Sequence, residues 1–220
     1  MNKKRTIKIK HKIAYLLVIV FICIVIVIPA CSHPKLQYLG KYTFDIITLK
    51  DSSVRKVDNP NWATKMDISG LPNLHKISDN LYRGAQPTKE GMQELEKLGI
   101  KTVINLRSEH SDSDEMENVN LAYANIRMTT ANPETENIVR FLNIVTDSNN
   151  APVFVHCKYG ADRTGTVCAI YRIVVQDWSK EDAIEEMTKG GYGFHSIWGN
   201  LVDYIRDMDI EKIKQLGEER

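Results

Sequence analysis

The segment from His156 to Gly165 combines residue types that together can attack and hold a tetrahedral anion. Cys157 and Arg163 are separated by five residues, so a loop that closes at a helix N-terminus can place both on one ligand. Gly160 allows the backbone to turn closely around that ligand. The spacing therefore predicts a cysteine nucleophile, an arginine clamp and a nest of backbone N–H groups, for which phosphate is the obvious guest.

Individual members of this loop have different expected roles. The planar guanidinium of Arg163 can bind two phosphate oxygens, which a lysine would not reproduce. An ordinary thiol is only about 3% ionised at pH 7, so positive charge near Cys157 is needed to supply the thiolate. Thr164 is expected to donate a hydrogen bond to the departing sulfur, and His156 to orient the loop. The residues expected to bind phosphate are Lys158, Tyr159, Gly160, Ala161, Asp162 and Arg163.

The elements around the loop alternate between strand-like and helix-like segments. Residues 152–156 form an apolar strand that delivers Cys157 at its carboxyl end, where α/β sheets bind ligands, and a helix follows from 164 or 165 to 176. Further predicted elements are strands at 74–82, 101–107 and 121–128, and helices at 88–98, 133–145, from 179 to 190, and within 197–215. This alternation predicts an α/β domain with a central, mostly parallel sheet flanked by helices.

The composition is typical of one globular domain. With 43% hydrophobic and 26% charged residues, the 220-residue chain can bury a core. A formal net charge of +1 argues against nucleic acid as the main partner. We predict a catalytic domain over 73–220, which we expect to be monomeric, preceded by a tether and N-terminal extension over 32–72 with an edge strand around 44–49.

Residues 1–31 have the order of a bacterial export signal. A lysine-rich stretch precedes an apolar run at 13–28, and Pro29, Ala30 and Cys31 follow as a small-residue processing site. A cleaved signal peptide, a lipoprotein signal with lipid on Cys31 and an uncleaved signal anchor all remain open, and a buried core helix is the weaker alternative. The export readings place the folded domain outside the cytoplasm, in the periplasm or at the cell surface.

The four cysteines do not form a disulfide framework. Cys23 lies in the apolar run, Cys31 at the processing site and Cys157 in the loop. Cys168 lies eleven residues further along the predicted helix, about 16 Å away, beyond the reach of a disulfide. We predict no structural disulfide.

The loop resembles the signature of the Cys-x5-Arg protein tyrosine phosphatase superfamily, in particular its compact dual-specificity branch, over roughly residues 73–206. Residues 81–87 and 103–107 look like those of bacterial members. The predicted export signal in residues 1–31 suggests a membrane-anchored or exported member. The resemblance implies hydrolysis of phosphate monoesters through phosphocysteine on Cys157, without metal or cofactor. The implied substrates are phosphotyrosine, phosphoserine or phosphothreonine in proteins, or phosphoinositides and inositol phosphates.

One part of the dual-specificity pattern is missing. Members usually carry an aspartic acid, on a loop before the cysteine, that protonates the leaving oxygen, but residues 125–132 contain no acid. Asp162 matches a position where myotubularin-like and some bacterial lipid-directed phosphatases carry aspartate, and it is a candidate proton donor. A carboxylate that binds loop amides is the equally weighted alternative. Glu134 and Glu136 are weaker candidates.

Other residues are given structural interpretations. Gly190 and Gly191 predict a helix stop and a turn, with His195 and its neighbours lining the pocket as the alternative. His110, His195 and the acidic residues at 112–117 lack metal-ligand spacing and are interpreted as a solvated face.

Two other function classes remain open from sequence. One is a phosphate-binding module that has lost turnover because the distal acid is absent. The other is a rhodanese-like sulfurtransferase, which also cradles a cysteine, although the His-Cys-x5-Arg-Thr-Gly string favours phosphate.

Overall fold

A six-stranded sheet flanked by helices makes up the described part of the chain. The computed structural model describes residues 59–218. The predicted export signal, the edge strand around 44–49, Cys23 and Cys31 lie outside these residues. Between residues 59 and 218, no helix is both long and apolar enough to cross a membrane.

The sheet is mixed, with four parallel strands and an antiparallel pair at one edge. Its strands are β1 (Thr64–Lys65), β2 (His75–Lys76), β3 (Leu81–Gly84), β4 (Thr102–Asn105), β5 (Ala122–Asn125) and β6 (Val153–His156), in the spatial order β1-β2-β3-β6-β4-β5. The predicted α/β class with a mostly parallel sheet is confirmed. Strand pairing begins before residue 73, the predicted start of the domain, because Thr64 pairs with Lys76.

Six α-helices connect and cover these strands within residues 59–218. They are α1 (Lys89–Lys97), α2 (Thr135–Thr146), α3 (Asp162–Gln176), α4 (Lys180–Lys189), α5 (Gly199–Asp207) and α6 (Ile210–Glu218), with a 3₁₀ turn at Ser196–Trp198. Thr88 caps α1 by accepting a hydrogen bond from Gly91 N at 3.1 Å, and Ser179 caps α4 in the same way. Helix α3 begins earlier than predicted, at Asp162, so the loop closes directly into it.

The central strands are buried on both faces, as parallel strands between helices normally are. Ile104, Val153 and Val155 face the larger core, which is completed by α2, α3 and α4, while Val103 and Phe154 face a smaller core under α1. This packing holds the carboxyl end of β6 and the first turn of α3 in fixed positions, so the loop between them is supported on both sides.

Candidate active site

The loop from Cys157 to Ala161 joins the carboxyl end of β6 to the first turn of α3. Cys157 is only 2% exposed, and Arg163 lies one residue inside the helix, where it is half-buried. The predicted strand, loop and helix arrangement is therefore observed. It places the cysteine sulfur at a helix N-terminus, where the helix dipole favours an anion.

Three consecutive carbonyl groups of the loop are turned outward by hydrogen bonds from other segments. The three bonds are Gln86 N to Lys158 O (3.4 Å), Asn73 Nδ2 to Tyr159 O (3.0 Å) and Arg83 Nη2 to Gly160 O (2.7 Å). In a planar trans peptide the N–H points opposite to the C=O. The N–H groups of the next residues therefore point away from Gln86, Asn73 and Arg83, which is the arrangement that the predicted anion nest requires.

Arg83 supports this loop from below. Its side chain is buried, its Nη2 reaches Gly160 O, and its guanidinium lies 3.9 Å from the centre of the Tyr192 ring. Within residues 59–218 no carboxylate forms a salt bridge with it. A buried cation that is not neutralised raises the positive potential at the loop and favours the binding of an anion such as phosphate. In the sequence, Arg83 was noted only as part of residues 81–87, which resemble those of bacterial family members. No role was predicted for it.

Gly160 adopts a positive φ of +68° and leaves no room for a side chain, since an added Cβ would lie 2.4 Å from Gly84 O. We expect Gly160→Ala to shift the loop, to cost about 1–3 kcal/mol of folding stability and to lower kcat/KM for an aryl phosphate at least about 10²-fold. Thermal unfolding and initial rates measure the two effects.

Gly99→Ala is the matched control for this prediction. Gly99 also has a positive φ, of +79°, but a Cβ there would meet nothing within 4 Å. The control variant should share the backbone strain and keep its activity. Equal losses of activity in the two variants would show that strain, and not the shape of the loop, is responsible.

His156 is held by a fully buried aspartate. Its Nε2 lies 2.8 Å from Asp112 Oδ2, and Asp112 Oδ1 also accepts hydrogen bonds from Asn105 (2.9 Å) and Gln86 (3.0 Å). The other imidazole nitrogen is 3.4 Å from Cys157 O. These contacts fit the predicted orienting role of His156. The interpretation of Asp112 as part of a solvated face is wrong, because its position after β4 turns it under the loop.

Asp112 also lies close to two partly exposed residues. One ligand atom from each of His110, Asp112 and Glu115 falls within 4.8 Å of the others. His110 Nε2 is 3.6 Å from Asp112 Oδ1 and 3.4 Å from Glu115 Oε1, and within residues 59–218 it forms no hydrogen bond. Because Asp112 already accepts hydrogen bonds at both oxygens, we assign the group to loop support.

Arg163 and Thr164, which follow Asp162 in the first turn of α3, differ in their hydrogen bonds. Arg163 Nη1 lies 3.4 Å from Leu106 O and 3.5 Å from Met128 O, at the carboxyl ends of the neighbouring strands. Thr164 is fully buried, and its Oγ1 has no hydrogen-bond partner within residues 59–218. A buried hydroxyl without a partner costs about 1–3 kcal/mol, so Thr164 keeps a free donor in the first turn of the helix that follows the loop.

Asp162 contacts His195 and not the amides of its own loop, so the second of its two predicted interpretations is wrong. It is 6% exposed, and its Oδ1 accepts a hydrogen bond from His195 N at 2.9 Å. Its Oδ2 lies 2.9 Å from His195 Nδ1. No loop amide is bound by this carboxylate among the contacts of residues 59–218, and His195 takes their place. Gly190 caps α4 as predicted, and the chain after it folds back over the loop.

Glu134 and Glu136 lie at the exposed start of α2. Glu134 Oε2 accepts a hydrogen bond from Asn137 Nδ2 at 3.1 Å. The acid-free turn before them is tied to the segment that carries His195, because Asn200 Nδ2 donates to Thr130 O (2.7 Å) and Ala131 O (3.1 Å).

Cys157 and Cys168 are both free and buried, but their surroundings differ. Burial raises the pKa of Cys168 to about 11, so this thiol stays neutral, and unreactive, below about pH 9. We expect iodoacetate at pH 7 to modify Cys157 with loss of activity, to leave Cys168 unmodified, and to be slowed by inorganic phosphate. Peptide mapping by mass spectrometry checks this. Inactivation that tracks modification of Cys168 instead would contradict it.

A cysteine and an arginine at the two ends of an N–H-lined loop, between a strand and a helix of an α/β sheet, define the Cys-x5-Arg class of phosphatases. A protein-family profile described as a DSP-PTPase phosphatase fused to NAD⁺ kinase matches residues 54–198. The chain belongs to this family, and it is a phosphatase of the dual-specificity type.

Individual relatives agree with this assignment. The dual specificity protein phosphatase TpbA of Pseudomonas aeruginosa is 33% identical over 162 residues, which cover 71% of each chain. A crystal structure of TpbA in complex with phosphotyrosine has a TM-score of 0.67 at 28% identity, covering 74% of this chain and all of that one. The inositol diphosphatase DSP5 of Arabidopsis thaliana is 28% identical over 153 residues, 66% of this chain and 73% of the relative.

Proposed function

We propose that this protein hydrolyses phosphate monoesters in two steps through a phosphocysteine on Cys157. In the first step the thiolate attacks phosphorus, the ester P–O bond breaks and the leaving oxygen takes a proton. In the second step water attacks phosphorus, the S–P bond breaks and inorganic phosphate is released. The observation that carries the proposal is the loop between Cys157 and Arg163, in which donors from other segments bind three successive carbonyls and leave the N–H groups that follow them pointing the other way.

The other loop residues supply electrostatic stabilisation. Arg163 and the N–H groups bind the three oxygens that keep their negative charge throughout the transfer. Thr164 donates to the sulfur as it departs in the second step, which makes the thiolate a better leaving group. Asp162 stays in the proposed catalytic machinery, coupled to His195, while the exposed Glu134 and Glu136 remain the weaker candidates for proton transfer.

Two substrate classes fit the site. TpbA was crystallised with phosphotyrosine, and DSP5 is named as an inositol diphosphatase. In this chain the rim carries an exposed Lys158, whose Nζ lies 5.1 Å from the centre of the Tyr159 ring. An exposed cation beside an exposed aromatic ring can receive a phosphotyrosyl peptide or a second phosphate group. The proposed substrates are therefore phosphoproteins, phosphoinositides or inositol phosphates.

Phosphate release from a substrate panel tests the proposed function. The panel contains a phosphotyrosyl peptide, a phosphothreonyl peptide, a soluble inositol polyphosphate and phosphoinositide vesicles, all with a chelator present. Release of phosphate with the chelator present supports the proposal, and Lys158→Gln should lower kcat/KM most for multiply phosphorylated substrates. Tight binding of phosphorylated ligands without release would instead identify a phosphate-binding module.

We further propose that the domain acts outside the cytoplasm, as an exported or membrane-associated monomer. The lysine-rich start, the apolar run at 13–28 and the small residues before Ser32 support this location. Protease added to intact spheroplasts should digest the phosphatase domain of the full-length chain. A Cys31→Ser variant separates the alternatives, because only a lipoprotein would lose its lipid and its membrane fraction. Complete protection from the protease would contradict the proposed location.

A further inference from the structure

Cleavage of most phosphate esters requires a proton donor in addition to the nucleophile. An alkoxide is a poor leaving group, so a positioned acid that protonates the leaving oxygen is worth about 10²–10⁴ in rate. The turn over residues 125–132 contains no acidic side chain. Glu134 and Glu136 are exposed at the start of α2. The donor is therefore expected from another side of the loop.

Asp162 itself is poorly placed to be that donor. Both of its oxygens face His195: Oδ1 accepts from the backbone N at 2.9 Å, and Oδ2 lies 2.9 Å from Nδ1. The contacts with His195 therefore occupy both carboxylate oxygens. In the tautomer in which Nδ1 donates to Oδ2, the carboxylate fixes the ring and leaves Nε2 for another partner.

The same contacts leave the other imidazole nitrogen facing outward. The side chain of His195 is 52% exposed, and its Nε2 has no hydrogen-bond partner within residues 59–218. Its ring lies 6.0 Å from the ring of Tyr159, which belongs to the phosphate loop. Asn200 binds the carbonyls of Thr130 and Ala131, so the same segment also meets the acid-free turn. His195 therefore lies beside the phosphate loop, next to Tyr159 and Asp162.

We propose that His195 is the general acid of this phosphatase and that Asp162 is its positioning residue, an inference that rests on the proposed phosphocysteine reaction. In the first step the imidazolium transfers its Nε2 proton to the leaving oxygen as the ester P–O bond breaks. In the second step the neutral imidazole takes a proton from the attacking water, which restores the imidazolium. Within residues 59–218, the ionisable groups that face His195 are the Asp162 carboxylate and the Tyr159 side chain.

A leaving-group series tests this assignment, because a missing acid matters most when the leaving oxygen is most basic. The wild-type chain is compared with His195→Gln and Asp162→Asn on p-nitrophenyl, phenyl and alkyl phosphates. We expect His195→Gln to lower kcat about 10²-fold or more on the alkyl ester and only severalfold on the p-nitrophenyl ester. Asp162→Asn should show the same trend with a smaller amplitude. Ile197→Ala, a change at an 82% exposed residue of the same segment, is the matched control and should leave the trend unchanged.

The outcomes separate this inference from the proposed function. Equal losses of kcat on all three esters, or no loss on any, would overturn the role of His195 even though the phosphocysteine reaction stands. A wild-type chain that hydrolyses none of the esters would instead refute the proposed function. Thermal unfolding and competition by inorganic phosphate confirm that each variant is folded with an intact loop, so a reduced rate reports on proton transfer.

Discussion

Cys157→Ser is expected to lower kcat for an aryl phosphate by about 10⁴-fold or more, the usual consequence of removing a covalent nucleophile. A serine hydroxyl is a much weaker acid than a thiol and remains protonated in the loop, and the adjacent His156 is not free to act as its base. His156 faces Asp112 through Nε2 and a backbone carbonyl through Nδ1, so it is committed to positioning. Affinity for inorganic phosphate should persist, because the N–H nest and Arg163 remain. Initial rates and phosphate inhibition measure both quantities.

Cys168→Ser is the control for this substitution. Cys168 is the other cysteine within residues 59–218, buried on the same helix that begins at the loop. The variant should lose some stability, since a hydroxyl replaces a buried thiol, and keep its turnover. A Cys157→Ser protein that retains a tenth or more of the wild-type rate would exclude the phosphocysteine route.

Arg163→Lys is expected to lower kcat about 10²–10³-fold, the effect of removing a preorganised donor to a developing anion. The positive charge is kept, but the planar fork that binds two oxygens at once is lost. The guanidinium donates to the carbonyls of Leu106 and Met128, at 3.4 and 3.5 Å. A single ammonium group cannot keep both of these contacts and also bind two phosphate oxygens. Steady-state rates on an aryl phosphate measure the loss.

Arg127→Lys serves as the comparison for Arg163→Lys. Arg127 is exposed on the segment just before Met128, and its Nε bonds the Asn125 side chain at 3.3 Å. Its replacement should change kcat less than twofold, since within residues 59–218 the Arg127 side chain forms no hydrogen bond with residues 156–164. If Arg163→Lys were as active as Arg127→Lys, charge alone would account for the role of Arg163.

The local part of the site could be predicted from sequence, because it lies within one continuous segment. An apolar run, a glycine and a helical pattern fix β6, the loop and α3 without reference to the rest of the chain. The cap residues Thr88 and Ser179 were predictable for the same reason. Each depends on interactions between residues a few positions apart.

The residues that support the loop could not be predicted from sequence. Their contacts depend on the order of the strands in the sheet and on how distant segments of the chain fold back onto the loop. Arg83 is 77 residues from Gly160, Asp112 is 44 residues from His156, and His195 is 33 residues from Asp162. Because β6 lies between β3 and β4 in the sheet, Arg83 and Asp112 both come to lie under the loop that follows β6. In sequence, Asp112 sits among acidic residues that resemble a solvated face, and His195 follows glycines that indicate only a turn.

Direct trapping of the phosphocysteine tests the central proposal most sharply. A rapid acid quench of the wild-type enzyme, within one turnover after mixing with an alkyl or aryl phosphate, is followed by peptide mapping. The proposed reaction predicts a phosphoryl group on the sulfur of Cys157, formed and hydrolysed at rates that support turnover, and absent from Cys157→Ser. Continued turnover with no phosphoryl group on the Cys157 peptide at any quench time would contradict the proposed reaction.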